Sequence, residues 1–360
     1  VFLFLIFVIK NLFLGVLIYI EANLMRTLRL STSKKIFNHY MNSNYLFYIN
    51  SNPATIIRTL ETDIGLAYKC VSTFLFLLRE FLLVFIVLIL LLSVNLIVYS
   101  TAFIILSSIS FLFYFFFKDR LLDKGKALQS QRAKNIKIIS QSFYSIKEIK
   151  ILQKENFFGN LFYKSINLIE NLHLFSYLIS RYPRLLIEIL AVLMISGFVF
   201  LMYFFGSESQ LIPLLALLAA ACIRFIPALN GITVSINLIK FFYPSFDLIS
   251  KELISINSKI VSQKKFNENS KKKTIEFKTN IQLEAVDFSY QNSNEKALEN
   301  VNLSINKGEI VAIIGDSGSG KTTLINLILG FISPDSGAVT VDNQNIQKNL
   351  ENWQSKLGYV

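Results

Sequence analysis

Only two cysteines and two histidines occur in the 360 residues. Cys70 and Cys222 sit in apolar surroundings without metal-ligand spacing, so buried thiols are expected of both. No Ser/His/Asp or paired-carboxylate arrangement is legible, and no internal repeat. Charge is also scarce: Asp, Glu, Lys and Arg together make up 17 % of the chain, against 53 % hydrophobic residues. With a mean hydropathy of +0.49, that balance excludes a pair of soluble domains and describes a membrane protein. Acids are the scarcer sign, 24 against 36 basic residues, yet no basic module lies beside stacking aromatics, which excludes a nucleic-acid role.

What the chain does have is long apolar runs. Residues 71–92 carry only Arg79 and Glu80, and residues 94–117 carry no charge. Residues 185–205 carry only Glu188, and residues 211–239 only Arg224. Each can cross a hydrocarbon layer of about 30 Å, which takes about 20 helical residues. Residues 1–20 form a fifth, weaker candidate, interrupted by Lys10 and Asn11. The alternative of a secretory signal peptide lacks its initiator Met, basic n-region and cleavage site.

Orientation follows from where the cations fall. Residues 21–69 hold Arg26, Arg29, Lys34, Lys35, Arg58 and Lys69, and residues 118–164 hold eleven Lys and Arg against four acids, whereas residues 93–95 and 206–210 hold none. By the positive-inside bias the two long connections are cytoplasmic and the two short ones external. Five crossings that start outside then leave the remaining chain in the cytoplasm. The count also suggests a sixth helix ahead of Val1. The net charge of +12 follows from this topology and from contact with anionic lipid.

The two cytoplasmic excursions are patterned. Asn52-Pro53 reads as an N-cap followed by proline at the first helical position. Ile136, Ile139, Phe143, Ile146 and Ile149 recur at helical spacing with lysines between them. Both excursions read as membrane helices prolonged into the cytoplasm, with turns near residues 45–52 and 140–149 at their lowest points. The competing arrangement is a pair of amphipathic helices lying on the headgroups.

A shift in composition divides the chain. Residues 1–254 are the membrane domain, and residues 255–280, rich in Ser, Asn and Lys, read as a solvated linker. Residues 281–360 change character again. Residues 281–290 alternate as a strand, residues 297–305 give another, and residues 339–342 a further one after the Pro334-Asp335-Ser336-Gly337 turn. The apolar run Glu309–Ile314 reads as a buried strand, and Thr323–Leu329 as a helix stopped by Gly330.

Between that strand and that helix lies Gly315-Asp316-Ser317-Gly318-Ser319-Gly320-Lys321-Thr322, which matches G-x-x-x-x-G-K-[ST] at every fixed position. Its glycines allow the backbone to fold around an anion, so that N–H groups and the positive end of the helix face phosphate oxygens. Lys321 suits the β- and γ-phosphates, and the Thr322 hydroxyl suits one position on Mg²⁺. A glycine-rich turn that binds nothing is the plainer alternative, disfavoured by the flanking strand and helix. ATP with Mg²⁺ is therefore the expected ligand, held by Gly315 through Thr322 and by Thr323.

The order of membrane helices, linker, Tyr290 at a strand end, phosphate loop and Gly330-Phe331-Ile332-Ser333-Pro334-Asp335-Ser336-Gly337 resembles the half-transporters of the ABC exporter superfamily, over essentially the whole chain. The resemblance implies an all-α polytopic membrane domain of the type I exporter kind, with five of its six helices here, followed by the N-terminal part of an α/β phosphate-loop domain. It also implies that Tyr290 stacks on adenine, that both excursions carry coupling helices, and that two half-transporters pair, here as a homodimer. Within the superfamily, Arg181-Tyr182-Pro183-Arg184 and Ile223-Arg224-Phe225-Ile226-Pro227-Ala228 are similar to bacterial lipid-linked oligosaccharide flippases of the protein-glycosylation type. A bacterial inner membrane and a lipid-linked saccharide, or another amphiphile, are the implied setting and cargo.

The chain departs from that pattern at Val360, before the glutamine loop, signature segment, magnesium-supporting Asp, catalytic Glu and switch His of such proteins. Neither His39, expected to be a solvated helix residue, nor His173 can stand for the last. The chain thus reads as a fragment with no catalytic group of its own, drawn from a protein that hydrolyses ATP.

Charges within the spans are costly unless they snorkel, pair or face water. Arg224 lies about 20 Å from the outer end of its span by helical rise, and Lys10 interrupts the first span. A planar guanidinium suits phosphate, so Arg224 and Lys10 are candidates to hold a lipid pyrophosphate. Equally open is Arg224 pairing with Glu188 or Glu80 while Lys10 snorkels. Pro213, Pro227 and Gly231 fit kinks in the last span.

Overall fold

The computed structural model describes residues 2–93, 96–205, 208–266, 275–290 and 295–360. Two compact units emerge, one of residues 1–38 with 53–257 and the other of residues 39–52 with 258–360.

The first unit is helical. Helix α1 (Phe2–Met41) runs unbroken past Lys10, and after the short α2 (Tyr45–Asn50), which belongs to the second unit, come α3 (Pro53–Arg58), a π-helical turn (Thr59–Asp63) and α4 (Ile64–Leu92). Helix α5 (Leu96–Tyr144) and α7 (Glu155–Phe205) have 49 and 51 residues, joined through α6 (Ile146–Ile151). Helix α8 (Glu208–Phe266) closes the unit. At 1.5 Å per residue α5 and α7 are each about 75 Å long, more than twice the hydrocarbon thickness. Among the described residues, five helices are long and apolar enough to cross a membrane. Helices α5 and α7 thus extend well beyond the length of one membrane span, with the short helices α2 and α6 at the connections between long helices.

Two apolar clusters hold the unit. Val84, Tyr99, Leu106, Ile187, Ala191, Cys222, Phe225, Ala228 and Leu229 form one. Cys70, Leu121, Leu128, Ile169, Ile179, Phe241 and Phe242 form the other. Both cysteines are buried thiols, as expected. Between α5 and α8 the backbones approach so closely that a Cβ on Gly125 would lie 2.2 Å from the Phe241 carbonyl oxygen. Pro183 stands inside α7, where its missing N–H frees the carbonyl four residues earlier. That carbonyl belongs to Ile179, and the buried Asn237 of α8 donates its side-chain N–H to it at 3.3 Å. The kinking residue and its remedy thus come from different helices.

In the second unit a four-stranded antiparallel sheet has the order β2-β1-β3-β4, with β1 Asn280–Phe288, β2 Leu298–Asn306, β3 Ser336–Val341 and β4 Gln344–Asn345. Simple alternation along β1 would put Leu283 on one face and Val286 and Phe288 on the other. All three are buried, because the register shifts at residues 284–286 and Ala285 takes a φ of 45°. A bulge of this kind inserts one residue and restores the apolar face. Gly337 on β3 makes room for it, since a Cβ there would lie 2.3 Å and 2.4 Å from the Glu284 and Ala285 carbonyl oxygens. Helix α9 (Lys321–Ile328) ends at Gly330, whose φ is 70°, as a left-handed C-cap requires. Trp353 of α10 (Leu350–Gln354) is buried and donates its indole N–H to the Ile328 carbonyl at 2.8 Å.

Two expectations need correction. Residues 255–266, read as linker, continue α8, because their Ser, Asn and Lys side chains are compatible with the exposed face of a helix already begun. Residues 267–274 lie outside the described residues. The second correction concerns residues 309–314. They have no regular secondary structure and join no sheet among the described residues, and Ile310 and Ile314 are 99 % and 91 % exposed. An apolar β-branched run is buried only where neighbouring strands pair with it, and the four described strands pair with one another elsewhere.

Two tests follow. Asn237→Ala leaves the Ile179 carbonyl buried and unpaired, at a cost of about 1–3 kcal/mol, and should lower the thermal midpoint of the purified protein; an unchanged midpoint removes this role. Asp342 accepts from the Thr279 hydroxyl and from the N–H groups of Lys278, Thr279 and Asn280. The Thr279 hydroxyl foremost, with those N–H groups, holds its carboxyl well below the ordinary Asp value. A depressed carboxyl stabilises the fold above its unfolded pKa and loses that contribution as pH falls through its folded one. Asp342→Asn should therefore lower the denaturation midpoint of the sheet unit at pH 7 and have a smaller effect at pH 3; an equal effect at both would contradict the assignment.

Candidate functional site

The phosphate loop follows a tight turn at Lys307-Gly308 and residues 309–314, which have no regular secondary structure. Gly318 and Gly320 have φ values of 89° and 85°, a region that side chains with a Cβ enter at a cost. Gly320 has a second reason to be glycine. A Cβ there would lie 2.5 Å from the Ala297 carbonyl oxygen and 2.9 Å from Leu298 Cδ2, so the loop is pressed against the start of β2.

Lys321 is the first residue of α9, and its Nζ donates to the Gly315 and Asp316 carbonyls at 2.7 Å and 2.6 Å. The ammonium therefore sits across the concave side of its own loop. The first intrahelical bond of α9 runs from Leu324 N–H to the Gly320 carbonyl at 2.9 Å, so the N–H groups of Lys321, Thr322 and Thr323 have no partner within the helix. Together with the positive end of the helix they make a site for an anion. Thr322 is exposed at this end, whereas Thr323 is buried and faces Tyr290, hydroxyl to hydroxyl at 3.1 Å.

Tyr290 is placed by the sheet. Its ring meets Phe288 edge-on, with centroids 5.0 Å apart. The Ser289 N–H donates to Asp335 Oδ2 at 2.7 Å and the Asp335 N–H to the Asp287 carbonyl at 2.9 Å. Asp287 in turn accepts from the Asn300 N–H at 2.8 Å and the Ser336 hydroxyl at 2.7 Å. The Asn300 N–H first, then Ser336 and nearby Lys296, hold its carboxyl below the usual Asp value. These hooks tie the end of β1 to its neighbours, so the tyrosine emerges beside the loop helix.

Gly315 to Thr323 and Tyr290 thus form one site. Lys10 lies apart from it on α1, exposed, with its Nζ 4.8 Å from the centroid of the Phe7 ring one turn earlier. Arg224 lies on α8, and its side chain is outside the described residues. Of its two candidate partners, Glu188 is bound by Arg184 at 2.7 Å, and Glu80 lies 3.4 Å from Arg79. His39 is half-buried near the end of α1.

The turn at residues 45–52, where the resemblance implies a coupling helix, belongs to this unit. Helix α2 packs with the sheet unit: the Tyr45 and Phe331 rings have centroids 5.1 Å apart, and Leu46 joins the apolar cluster of Phe288, Leu327, Ile332 and Trp353. Its sequence signal was present in Tyr45-Leu46-Phe47-Tyr48, too aromatic for a solvated turn.

Comparison with known proteins agrees with this geometry. Residues 298–360 match the family model described as ABC transporter. The chain is 43 % identical over 82 residues to ABC transporter B family member 26, chloroplastic, of Arabidopsis thaliana, covering 22 % of this chain and 12 % of that protein. It is 38 % identical over 81 residues to the ATP-dependent lipid A-core flippase of Coxiella burnetii, covering 22 % of this chain and 14 % of that one. A solved structure of a bacterial Atm1-family ABC exporter with ATP bound superposes with a TM-score of 0.66 at 13 % identity, over 93 % of this chain and 59 % of that one. The fold is therefore that of an ABC exporter. Its C-terminal segment carries the match to the ABC transporter family model.

Lys321→Ala and Gly320→Val should each weaken ATP binding at least tenfold in an equilibrium titration with a fluorescent ATP analogue, the first by removing the cation and the second by displacing the loop from Ala297. Retained affinity in both variants would place the nucleotide elsewhere.

Proposed function

We propose that this chain is a half-transporter that uses ATP to export or flip an amphipathic substrate, by alternating access in a dimer with a second copy of itself. The observation that carries the reading is the joining, in one chain, of five membrane-length helices to a phosphate loop whose Lys321, left-handed glycines and free N–H groups are arranged for an anion. The seat of α2 on the ATP-binding unit supports it, because α2 is the link between α1 and α3.

The residues present fit ATP with Mg²⁺. The loop N–H groups and Lys321 would hold the phosphates, the exposed Thr322 hydroxyl would hold the ion, and Tyr290, with Thr323 behind it, would meet the adenine. The ion supplies charge neutralisation between the β- and γ-phosphates. In such a dimer α2, seated on the ATP-binding unit, would pass a displacement of that unit along the chain into α3.

For the cargo, the reading is a lipid-linked saccharide in a bacterial inner membrane, with the ATP-binding unit on the cytoplasmic side and Arg224 and Lys10 toward the pyrophosphate. Support comes from the Arg181–Arg184 and Ile223–Ala228 patches and from a relative that is itself a lipid flippase. The contact of Lys10 with Phe7 favours snorkelling for that residue, which leaves Arg224 as the stronger candidate. The matched regions span 12 % and 14 % of the two curated relatives, so substrate and partner rest on this reasoning. Export of peptide, drug or another lipid keeps the same machine. A membrane-anchored nucleotide sensor without transport is the alternative of another class.

Reconstitution of the intact gene product in liposomes tests the proposal, with a polyprenyl-pyrophosphate saccharide and a fluorescent-headgroup phospholipid as separate probes. ATP should drive translocation of the saccharide lipid. Arg224→Ala should reduce that translocation at least tenfold while basal ATP hydrolysis persists. Translocation of the phospholipid alone would reassign the cargo, and nucleotide binding without hydrolysis or movement of either probe would favour the sensor.

A further inference from the structure

Among the described residues, the least exposed carboxylate of the helical unit belongs to Asp63, which no part of the ATP site uses. Its side chain is 1 % exposed and that of its partner Arg58 7 %, with Arg58 Nε 2.8 Å from Asp63 Oδ2. The other carboxylate oxygen accepts from the Ser245 hydroxyl of α8 at 2.8 Å and from Gln129 Nε2 of α5 at 3.4 Å. Arg58 Nη1 completes the set by donating to the Gln129 carbonyl at 3.2 Å. One buried ion pair therefore fastens three helical segments, with two of its outside contacts on Gln129 of α5 and one on Ser245 of α8.

The local backbone is shaped for this. Arg58 and Asp63 flank the π-helical turn Thr59–Asp63. In an α-helix, residues five apart point about 140° away from each other, so the pair could not close. The wider i to i+5 turn brings Asp63 round beneath Arg58, and such turns are costly enough to concentrate at functional positions. Thr59, also buried, bonds back to the Thr55 carbonyl at 2.9 Å and steadies the turn.

Two of the three fastened segments lead along the chain into the ATP-binding unit. Helix α3 begins three residues after α2 ends, and α8 runs from Ser245 to Phe266, ahead of β1. A buried ion pair resists separation because opening it strands a charge away from water. We propose that Asp63 is a positioning residue for the transport cycle: its clamp with Arg58, Gln129 and Ser245 makes α3–α4, α5 and α8 one rigid lever. A displacement entering through α2 or through the end of α8 then reaches the membrane segments and is not absorbed at the joint. The coupling role rests on the ATP-driven reading above, whereas the clamp itself does not.

Hydrogen exchange on the intact gene product in lipid nanodiscs separates the two. Without nucleotide, Asp63→Asn should speed exchange at residues 54–63 and at residues 241–249 together, each at least tenfold; acceleration confined to residues 54–63 overturns the clamp. With ATP and vanadate, the wild type should change its exchange at residues 74–84 of α4. Asp63→Asn and Ser245→Ala should hydrolyse ATP within twofold of wild type yet lose most of that change, and the double variant should lose no more than Asp63→Asn alone. Hydrolysis falling in step with the lost response, or additive losses in the double variant, overturns the positioning role. A wild type that neither hydrolyses ATP nor responds to it refutes the transport reading while the nucleotide-free result still decides the clamp.

Discussion

A polar group shut away from water must find a partner, and most of the helical unit can be read as consequences of that requirement. In hydrocarbon a single chain segment satisfies its backbone by remaining helical, and α5 and α7 run as single helices of 49 and 51 residues. Where α7 contains Pro183, the carbonyl it frees is met from α8 by Asn237. Where α3 meets α4, the carboxylate of Asp63 is met from three directions at once. The apolar clusters supply the burial, but these polar pairings decide which helix faces which.

The sheet unit follows the same requirement on a smaller scale. Asp287, Asp335 and Asp342 each take up backbone N–H groups at strand ends, and the bulge at Ala285 returns Val286 and Phe288 to the buried face. The consequence for function is positional. Tyr290, Gly320 and Lys321 come together because β1, the start of β2 and α9 are each tied at their ends. A loop rich in glycine has little shape of its own, and here its shape is supplied by Ala297 and Leu298 behind it and by Lys321 across it.

Much of this was legible in advance, and the parts that were not share a cause. The spans were visible because a run without charge has few other uses, and the phosphate loop because glycine, lysine and threonine at fixed spacing have a specific geometric purpose. The strand 309–314 was misjudged because apolar alternation reports a capacity for burial, and burial needs neighbouring strands. The linker was drawn too early because Ser, Asn and Lys suit both a solvated chain and the outer face of a helix. Arg58 and Asp63 passed unnoticed since two opposite charges five residues apart ordinarily point in different directions on a helix. Only the π-helical turn makes them partners.

Composition and local pattern were enough to establish a multi-span helical domain joined to a phosphate-binding loop, since hydropathy, charge bias and glycine spacing act over a few residues at a time. Contact between distant segments decided the rest. That α2 would sit on Phe331 with the sheet unit, that Asn237 would answer Pro183, and that Ser245 would reach Asp63 across 182 residues depends on distances no local pattern encodes. A hydrogen bond is made or lost within a few tenths of an ångström, and only the packed chain sets separations that finely.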